Sequence, residues 1–200
     1  EAEMCGNGAR CLVRYAVENG YAQEDEEIRV ETLAGVREAV CRGEEVRVEM
    51  GVPSFDADDI PARRALMEEE VGGWKVTGVN TGVPHAVVFV DRIRINDVNV
   101  EEAAPPVRHA DVFPEGANVN FVERNGDGFR VRTFERGVEA ETLACGTGAV
   151  AVAAVARRLG KTDDDEVRVE TRGGPLTVTF DDGMAYMRGP AVLVYEGETL

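Results

Sequence analysis

The 200-residue sequence predicts an α+β protein of two pseudo-repeated domains, the first of them incomplete. Three observations carry that expectation. A cysteine followed by Gly-Xaa-Gly occurs twice, in Cys5-Gly6-Asn7-Gly8-Ala9 and in Cys145-Gly146-Thr147-Gly148-Ala149. An apolar, helix-like run follows each, and Cys5 to Gly20 laid on Cys145 to Gly160 is identical at six of sixteen positions. Most other segments alternate apolar with charged residues at the period of a strand. With one residue dropped, the echo continues as Ile28-Arg29-Val30-Glu31-Thr32 on Val167-Arg168-Val169-Glu170-Thr171. Because the chain starts at Glu1, without methionine and inside a motif, the first copy is expected to lack an upstream part.

The first helix is expected from about Gly8 to Glu18. Arg10, Arg14 and Glu18 share one stripe at i, i+4 and i+8, leaving Ala9, Leu12, Val13, Ala16 and Val17 to face inward. Asn19-Gly20 is its stop signal. Ile28 to Glu31 and Val46 to Glu49 read as strands with one wet face. Asp56 to Val71, rich in Asp, Glu and Ala, reads as a linker with a short surface helix. Ala86 to Val90 is continuously apolar, as a strand covered on both faces would be. Glu101 to Glu115, with Pro105-Pro106 and Pro114, reads as a loop. Phe121-Val122 and Phe129 to Phe134 flank Asn125-Gly126-Asp127-Gly128, a hairpin signal. The second helix, from about Gly148 to Leu159, carries no charge between Ala149 and Ala156 and is therefore a core helix. Val167 to Glu170 is a strand, and Leu176 to Phe180 with Met184 to Met187 flank Asp181-Asp182-Gly183 as a second hairpin.

Composition excludes several functions. No apolar run reaches the ~20 residues of a membrane span, and no signal peptide is visible, so a cytoplasmic protein is expected. The formal charge is −16, with Lys75 and Lys161 the only lysines among 22 basic residues. Such a surface repels nucleic acid and anionic membranes. It is also a halophilic composition, in which salt screens self-repulsion. Four cysteines are too few for a disulfide scaffold, and with only two histidines the spacing suits no metal site.

The paired cysteines point to the chemistry. A cysteine just before a helix meets free backbone N–H groups and the positive end of the dipole, which should lower its pKa and favour the thiolate. The glycines allow close approach and leave amides free to hold a carboxylate. Two such cysteines facing each other could remove a proton from one side of a carbon and return one to the other, inverting it without a cofactor. Cys11 and Cys41 read instead as ordinary packing. Gly146 to Ala151 also fits a dinucleotide fingerprint, but Arg136 to Thr142 ahead of it is a poor strand. A non-catalytic nucleotide- or anion-binding module is therefore the alternative from another class. By residue type alone Glu135-Arg136 is an exposed strand end, His85 is either a core histidine or a modulator of a thiol, and His109 is surface.

Met4-Cys5-Gly6-Asn7-Gly8-Ala9-Arg10-Cys11 and Ala144-Cys145-Gly146-Thr147-Gly148-Ala149 resemble the two signatures of diaminopimelate epimerases. Gly82-Val83-Pro84-His85, Phe113 to Phe121 and Arg132-Thr133-Phe134-Glu135-Arg136-Gly137 are similar to further motifs of that family. The resemblance implies domains each formed by a curved, mostly antiparallel sheet around a central helix. Residues 1–54 would be the remainder of the first domain and 55–193 the second, with 194–200 a terminal strand returning to the first. It implies a cofactor-independent isomerase converting LL- to meso-diaminopimelate in lysine biosynthesis. A racemase of another amino acid is the alternative within the class.

Residue by residue, the resemblance makes Cys5 and Cys145 the two bases. Gly6, Asn7, Gly146 and Thr147 would surround the substrate, with Asn118, Glu135 and Arg136 as further contacts, and His85 and Glu135 would tune the cysteines. No metal or other cofactor is implied. The expected partner is a small amino-acid substrate, with a homodimer as the expected assembly. Val83 stands where the family often has asparagine. The family also carries further chain ahead of the Cys5 motif, so these 200 residues alone are expected to have little activity.

Overall fold

The computed structural model describes residues 4–91 and 93–197. Helix α1 (Gly6–Glu18) leads into a meander of β1 (Glu27–Thr32), β2 (Gly35–Arg42) and β3 (Glu45–Gly51). Then come β4 (Glu69–Val71), β5 (Trp74–Asn80) and β6 (Pro84–Phe89), followed by the short helices α2 (Val100–Ala103) and α3 (Pro105–Arg108). The chain continues through β7 (Asn118–Asn125), β8 (Gly128–Glu135) and β9 (Ala140–Thr142) to α4 (Gly146–Arg158). A second meander of β10 (Glu166–Thr171), β11 (Gly174–Asp181) and β12 (Met184–Pro190) ends the regular structure.

The duplication is visible in detail. Each helix has thirteen residues and is followed by a meander whose first turn closes with a threonine hydroxyl donating to a glycine carbonyl, Thr32 to Gly35 and Thr171 to Gly174. Both helices begin two residues earlier than periodicity predicts. The cysteine is the N-cap, so the first glycine already has helical geometry.

Two separate domains are not what forms. The strands make one hydrogen-bonded, twelve-stranded sheet in the order β1-β2-β3-β12-β11-β10-β8-β7-β6-β5-β4, with β9 added beside β8. The two meanders join through antiparallel β3 and β12, from Ala185 against Gly51 to Pro190 against Glu45. The sheet is mixed, because β6 runs parallel to β7 and β8 parallel to β10. The expected pair of domains with a truncated first member is thus corrected. Unpaired edges of the repeated meanders satisfy each other's backbone groups, and no boundary is left between them. Of the terminal strand expected over 194–200, residues 194–197 lie in no strand and 198–200 fall outside the described residues.

The sheet separates two cores. On one face Val87, Val122 and Val131 pack with α4 and the inner residues of both meanders. On the other, the alternate residues Ala86, Val88, Val119 and Phe121 pack against Ile60, Leu66, Val100 and Val107. The segment read as a linker therefore contributes to a core, with Ile60 and Leu66 almost wholly buried. The segment read as a loop holds α2 and α3. Pro105 sits in the first turn of α3, where its missing N–H costs nothing.

Helix α4 is buried from Gly146 to Ala156 and touches β5 to β8 and β10 to β12. Its lack of charge follows from that position. In α1 the expected stripe is altered. Arg10 is buried while Leu12 is 55% exposed. The Arg10 guanidinium turns inward to donate to the Pro190 and Gly6 carbonyls and lies against Met187 Sδ, so its charge is hydrogen-bonded where it is hidden.

Candidate active site

The two cysteines occupy matching positions. Cys5 caps α1 with φ −132° and ψ 105°, and Cys145 caps α4 with φ −123° and ψ 112°. Each Sγ accepts the N–H three residues on, from Gly8 and from Gly148, at 3.4 Å. The sulfur thus takes the place a serine or aspartate oxygen usually holds at a helix start. The two helix starts also meet. A methyl group placed on Gly146 would lie 3.5 Å from Gly6 Cα, and one on Gly6 would lie 2.7 Å from Met187 Cε. A larger residue at either place would have to push aside the Met187 side chain, which packs over both helix starts. Asn7 bridges the motifs by donating from Nδ2 to the Ala144 carbonyl at 3.3 Å, while its Oδ1 is buried with no hydrogen-bond partner among the described residues.

The environments of the cysteines differ. Cys5 is exposed and Cys145 buried. Burial pushes the Cys145 thiol up to about 11, against opposing help from Thr147 and the Gly148 N–H, and the charges of Glu135 and Cys5 push the same way as burial. The expectation that the helix start lowers this pKa is therefore corrected. Desolvation of the thiolate outweighs the dipole and its hydrogen bonds. At neutral pH Cys145 holds its proton.

His85 lies wholly inside, on β6. Its Nε2 is 3.0 Å from Thr147 Oγ1, which is 3.3 Å from Cys145 Sγ. Its Nδ1 faces Asn120 Nδ2 at 2.9 Å. Burial, then the Arg136 charge, press its pKa down to about 3. His85 is a neutral imidazole at any ordinary pH, so it reaches Cys145 through a threonine and not as a cation. Val83, half-buried, stands two residues before it, in a turn where the Thr81 N–H meets the Val83 carbonyl. The Thr81 hydroxyl donates to the Thr147 carbonyl at 2.9 Å.

Asn118 and Asn120 lie on the same face of β7, one strand from His85. Asn118 Nδ2 donates to the Pro84 carbonyl, and its Oδ1 accepts the Arg136 N–H at 2.7 Å. That bond fixes the backbone where Glu135 and Arg136 leave β8. The following turn is held from outside: Glu139 accepts from the Gly137 N–H and from Arg108, and His109 Nε2 lies 3.4 Å from it. The Gly137 bond, then Arg108, keeps the Glu139 carboxyl below the usual range. The surface histidine His109 thus belongs to the support of this turn.

All ten residues singled out from the sequence come to one region, where the two helix starts meet β6, β7 and the end of β8. Asn120, Thr133 and Thr81 were not singled out. A signal was present for Asn120: asparagines at alternate positions of an otherwise apolar strand place polar groups on a buried face, where each needs a partner.

A family model described as diaminopimelate epimerase matches residues 1–55 and 77–194. The diaminopimelate epimerase of Methanocella arvoryzae is 53% identical over 205 residues, covering 99% of this chain and 72% of its own length. That of Methanothrix thermoacetophila is 54% identical over 203 residues, covering 98% and 70%. Among solved structures, a PhzF-family phenazine biosynthesis protein of Bacillus anthracis superposes with a TM-score of 0.69 at 21% identity, over 100% of this chain and 77% of that one. One from Enterococcus faecalis gives 0.68 at 17%, over 100% and 74%. At such identities the likeness shows the fold. It is the fold of PhzF-family proteins, and it agrees with the unbroken sheet in replacing the truncated two-domain arrangement.

Proposed function

Because this chain belongs to the diaminopimelate epimerase family, we propose that Cys5 and Cys145 are the two bases that carry its reaction. The chain is an isomerase that converts LL- to meso-diaminopimelate in lysine biosynthesis, acting on a small amino-acid substrate. The observation that carries the assignment of the bases is the matched capping of two helices by cysteine, with their first glycines side by side.

In one direction the Cys5 thiolate takes the proton from Cα, and Cys145, protonated in the resting protein, delivers its proton to the opposite face. The reverse direction exchanges the roles. Amides at Gly6-Asn7 and Gly146-Thr147 are suited to the substrate carboxylate, whose oxygens gain charge as Cα loses its proton. Arg136 would clamp that carboxylate and Glu135 would face the ammonium group. Asn118 acts on this reading by holding Arg136 as well as by contacting substrate. A cytoplasmic setting and a homodimer complete the proposal, the latter to be checked by sedimentation velocity.

The test is hydrogen exchange in D2O. Deuterium should enter Cα of diaminopimelate with the parent protein. Replacing Cys145 by Ala should slow formation of the inverted isomer about 10²–10⁴-fold, the usual worth of a positioned acid or base, while substrate binding persists. Inversion by Cys145→Ala at the parent rate would remove Cys145 from the mechanism.

A further inference from the structure

We propose that Asn120, held by Thr133, is a positioning residue that fixes the tautomer of His85 and thereby makes the Thr147 hydroxyl a hydrogen-bond donor to Cys145 Sγ. The inference rests on the reading of Cys145 as one of the two bases.

The argument follows the donors and acceptors in turn. The Asn120 side chain is completely buried, and Thr133 stands directly opposite it on β8. Asn120 Nδ2 lies 3.5 Å from the Ala86 carbonyl and 2.9 Å from His85 Nδ1. A carbonyl can only accept, so the atom facing it is the amide NH2, and Oδ1 points to the Thr133 hydroxyl, which donates at 3.0 Å. An amide NH2 can only donate, so His85 Nδ1 carries the lone pair. In a neutral imidazole the proton is then on Nε2. Nε2–H donates to Thr147 Oγ1 at 3.0 Å, and the Thr147 proton is left for Cys145 Sγ at 3.3 Å.

Each step leaves one choice for the next. With the other tautomer Nε2 would take the Thr147 proton, and the sulfur would lose its side-chain donor. The consequence falls on the reaction because Cys145 sits where burial disfavours its thiolate, yet it must become a thiolate each time it gives up its proton. The Thr147 hydroxyl and the Gly148 N–H are the groups aimed at that charge. Gly148 packs on the same asparagine, since a methyl group there would come within 2.7 Å of Asn120 Oδ1. Other charged or titratable groups acting on Cys145 and His85 are Cys5, Glu135 and Arg136. The relay runs below them, through groups that stay neutral.

Two measurements test this. In ¹⁵N-histidine-labelled protein at pH 7, with His109→Gln to assign the signals, His85 should show a protonated Nε2 and a bare Nδ1. A protonated Nδ1 overturns the proposal whether or not any variant folds. In steady-state kinetics Thr147→Val should lower kcat about 10²-fold, the cost of losing one donor to a developing anion. Asn120→Ala should lower it at least about tenfold, with KM within about twofold of the parent in both, and Thr147→Ser should recover most of the loss. Because Asn120 acts through Thr147, the double variant Asn120→Ala, Thr147→Val should be no slower than Thr147→Val alone. Losses that multiply would assign Asn120 an independent structural part and overturn the relay. Inversion that survives Cys145→Ala at the parent rate would fail the assignment of the base itself, an outcome separate from the tautomer.

Discussion

At Cys145 two effects of opposite sign act on one sulfur, and the sequence displays only one of them. The helix start that should favour a thiolate can be read from Cys-Gly-Xaa-Gly. The burial that disfavours it comes from strands distant in sequence and is stronger. Stability should therefore depend on pH on both sides of neutrality. The folded Cys145 thiol titrates near 11 against 9.0 for an ordinary one, so above pH 9 the unfolded chain loses its proton first. Stability is complete below pH 9 and declines toward pH 11, by on the order of 2–3 kcal/mol. Urea unfolding at pH 8 and pH 10.5 should show that decline in the parent and less of it in Cys145→Ala. His85 gives the other limb. Its folded pKa is about 3 against 6.5 unfolded, so below pH 6.5 the unfolded chain gains a proton that the folded one refuses. Stability is complete above pH 6.5 and falls as pH drops, at up to ~1.4 kcal/mol per pH unit. Between pH 6.5 and 5, above most carboxylate titrations, His85→Gln should remove this slope. An unchanged slope would mean that His85 is charged in the fold.

The two Gly-Xaa-Gly helices are the same element in unequal surroundings, and the second glycine of each motif shows it. Among the described residues a methyl group on Gly8 would meet nothing nearer than the Cys5 side chain at 3.6 Å, whereas on Gly148 it meets Asn120 Oδ1 at 2.7 Å. Gly8→Ala should be neutral or stabilise by up to ~1 kcal/mol through helix propensity. Gly148→Ala should destabilise by about 1–3 kcal/mol, as overpacking does. Thermal unfolding of the pair is the check, and equal shifts would mean that Asn120 yields freely. What the sequence reveals about elements divides along the same line. The helices and strands with strong periodicity can be read from their own residues, as with α4 and β10. Segments whose structure depends on distant partners cannot: Asp56 to Val71 looks like linker because its apolar residues follow no strand or helix period between Asp58-Asp59 and Glu68-Glu69-Glu70, and Ile60 and Leu66 pack with residues from elsewhere in the chain. Arg10 belongs to the same class, since its partners Pro190 and Met187 are some 180 residues away in the chain.

For the molecule as a whole, the duplication is legible in the sequence but the joining of its copies is not. Nothing in Val46 to Glu49 or Met184 to Met187 states that these strands pair with each other, because edge pairing is a backbone property that side-chain periodicity does not encode. Net charge, by contrast, acts on the whole fold and can be read directly. With 38 acidic and 22 basic residues the surplus of sixteen negative charges opposes any compact state. The observed ion pairs offset it weakly. Many are exposed, as in Arg42 with Asp25 and Arg64 with Glu69, where a pair contributes about 0–1 kcal/mol. Added salt screens both terms, but it shortens the Debye length from ~30 Å at 0.01 M to ~3 Å at 1 M, and so removes long-range repulsion more completely than contacts at 3 Å. The melting temperature should therefore rise between dilute buffer and molar KCl. A chloride salt is the right choice because it is less strongly excluded from protein surfaces than sulfate, which strengthens apolar burial by itself. If the melting temperature is the same in both, the surface charge is already balanced by local pairing, and the halophilic reading of the composition fails.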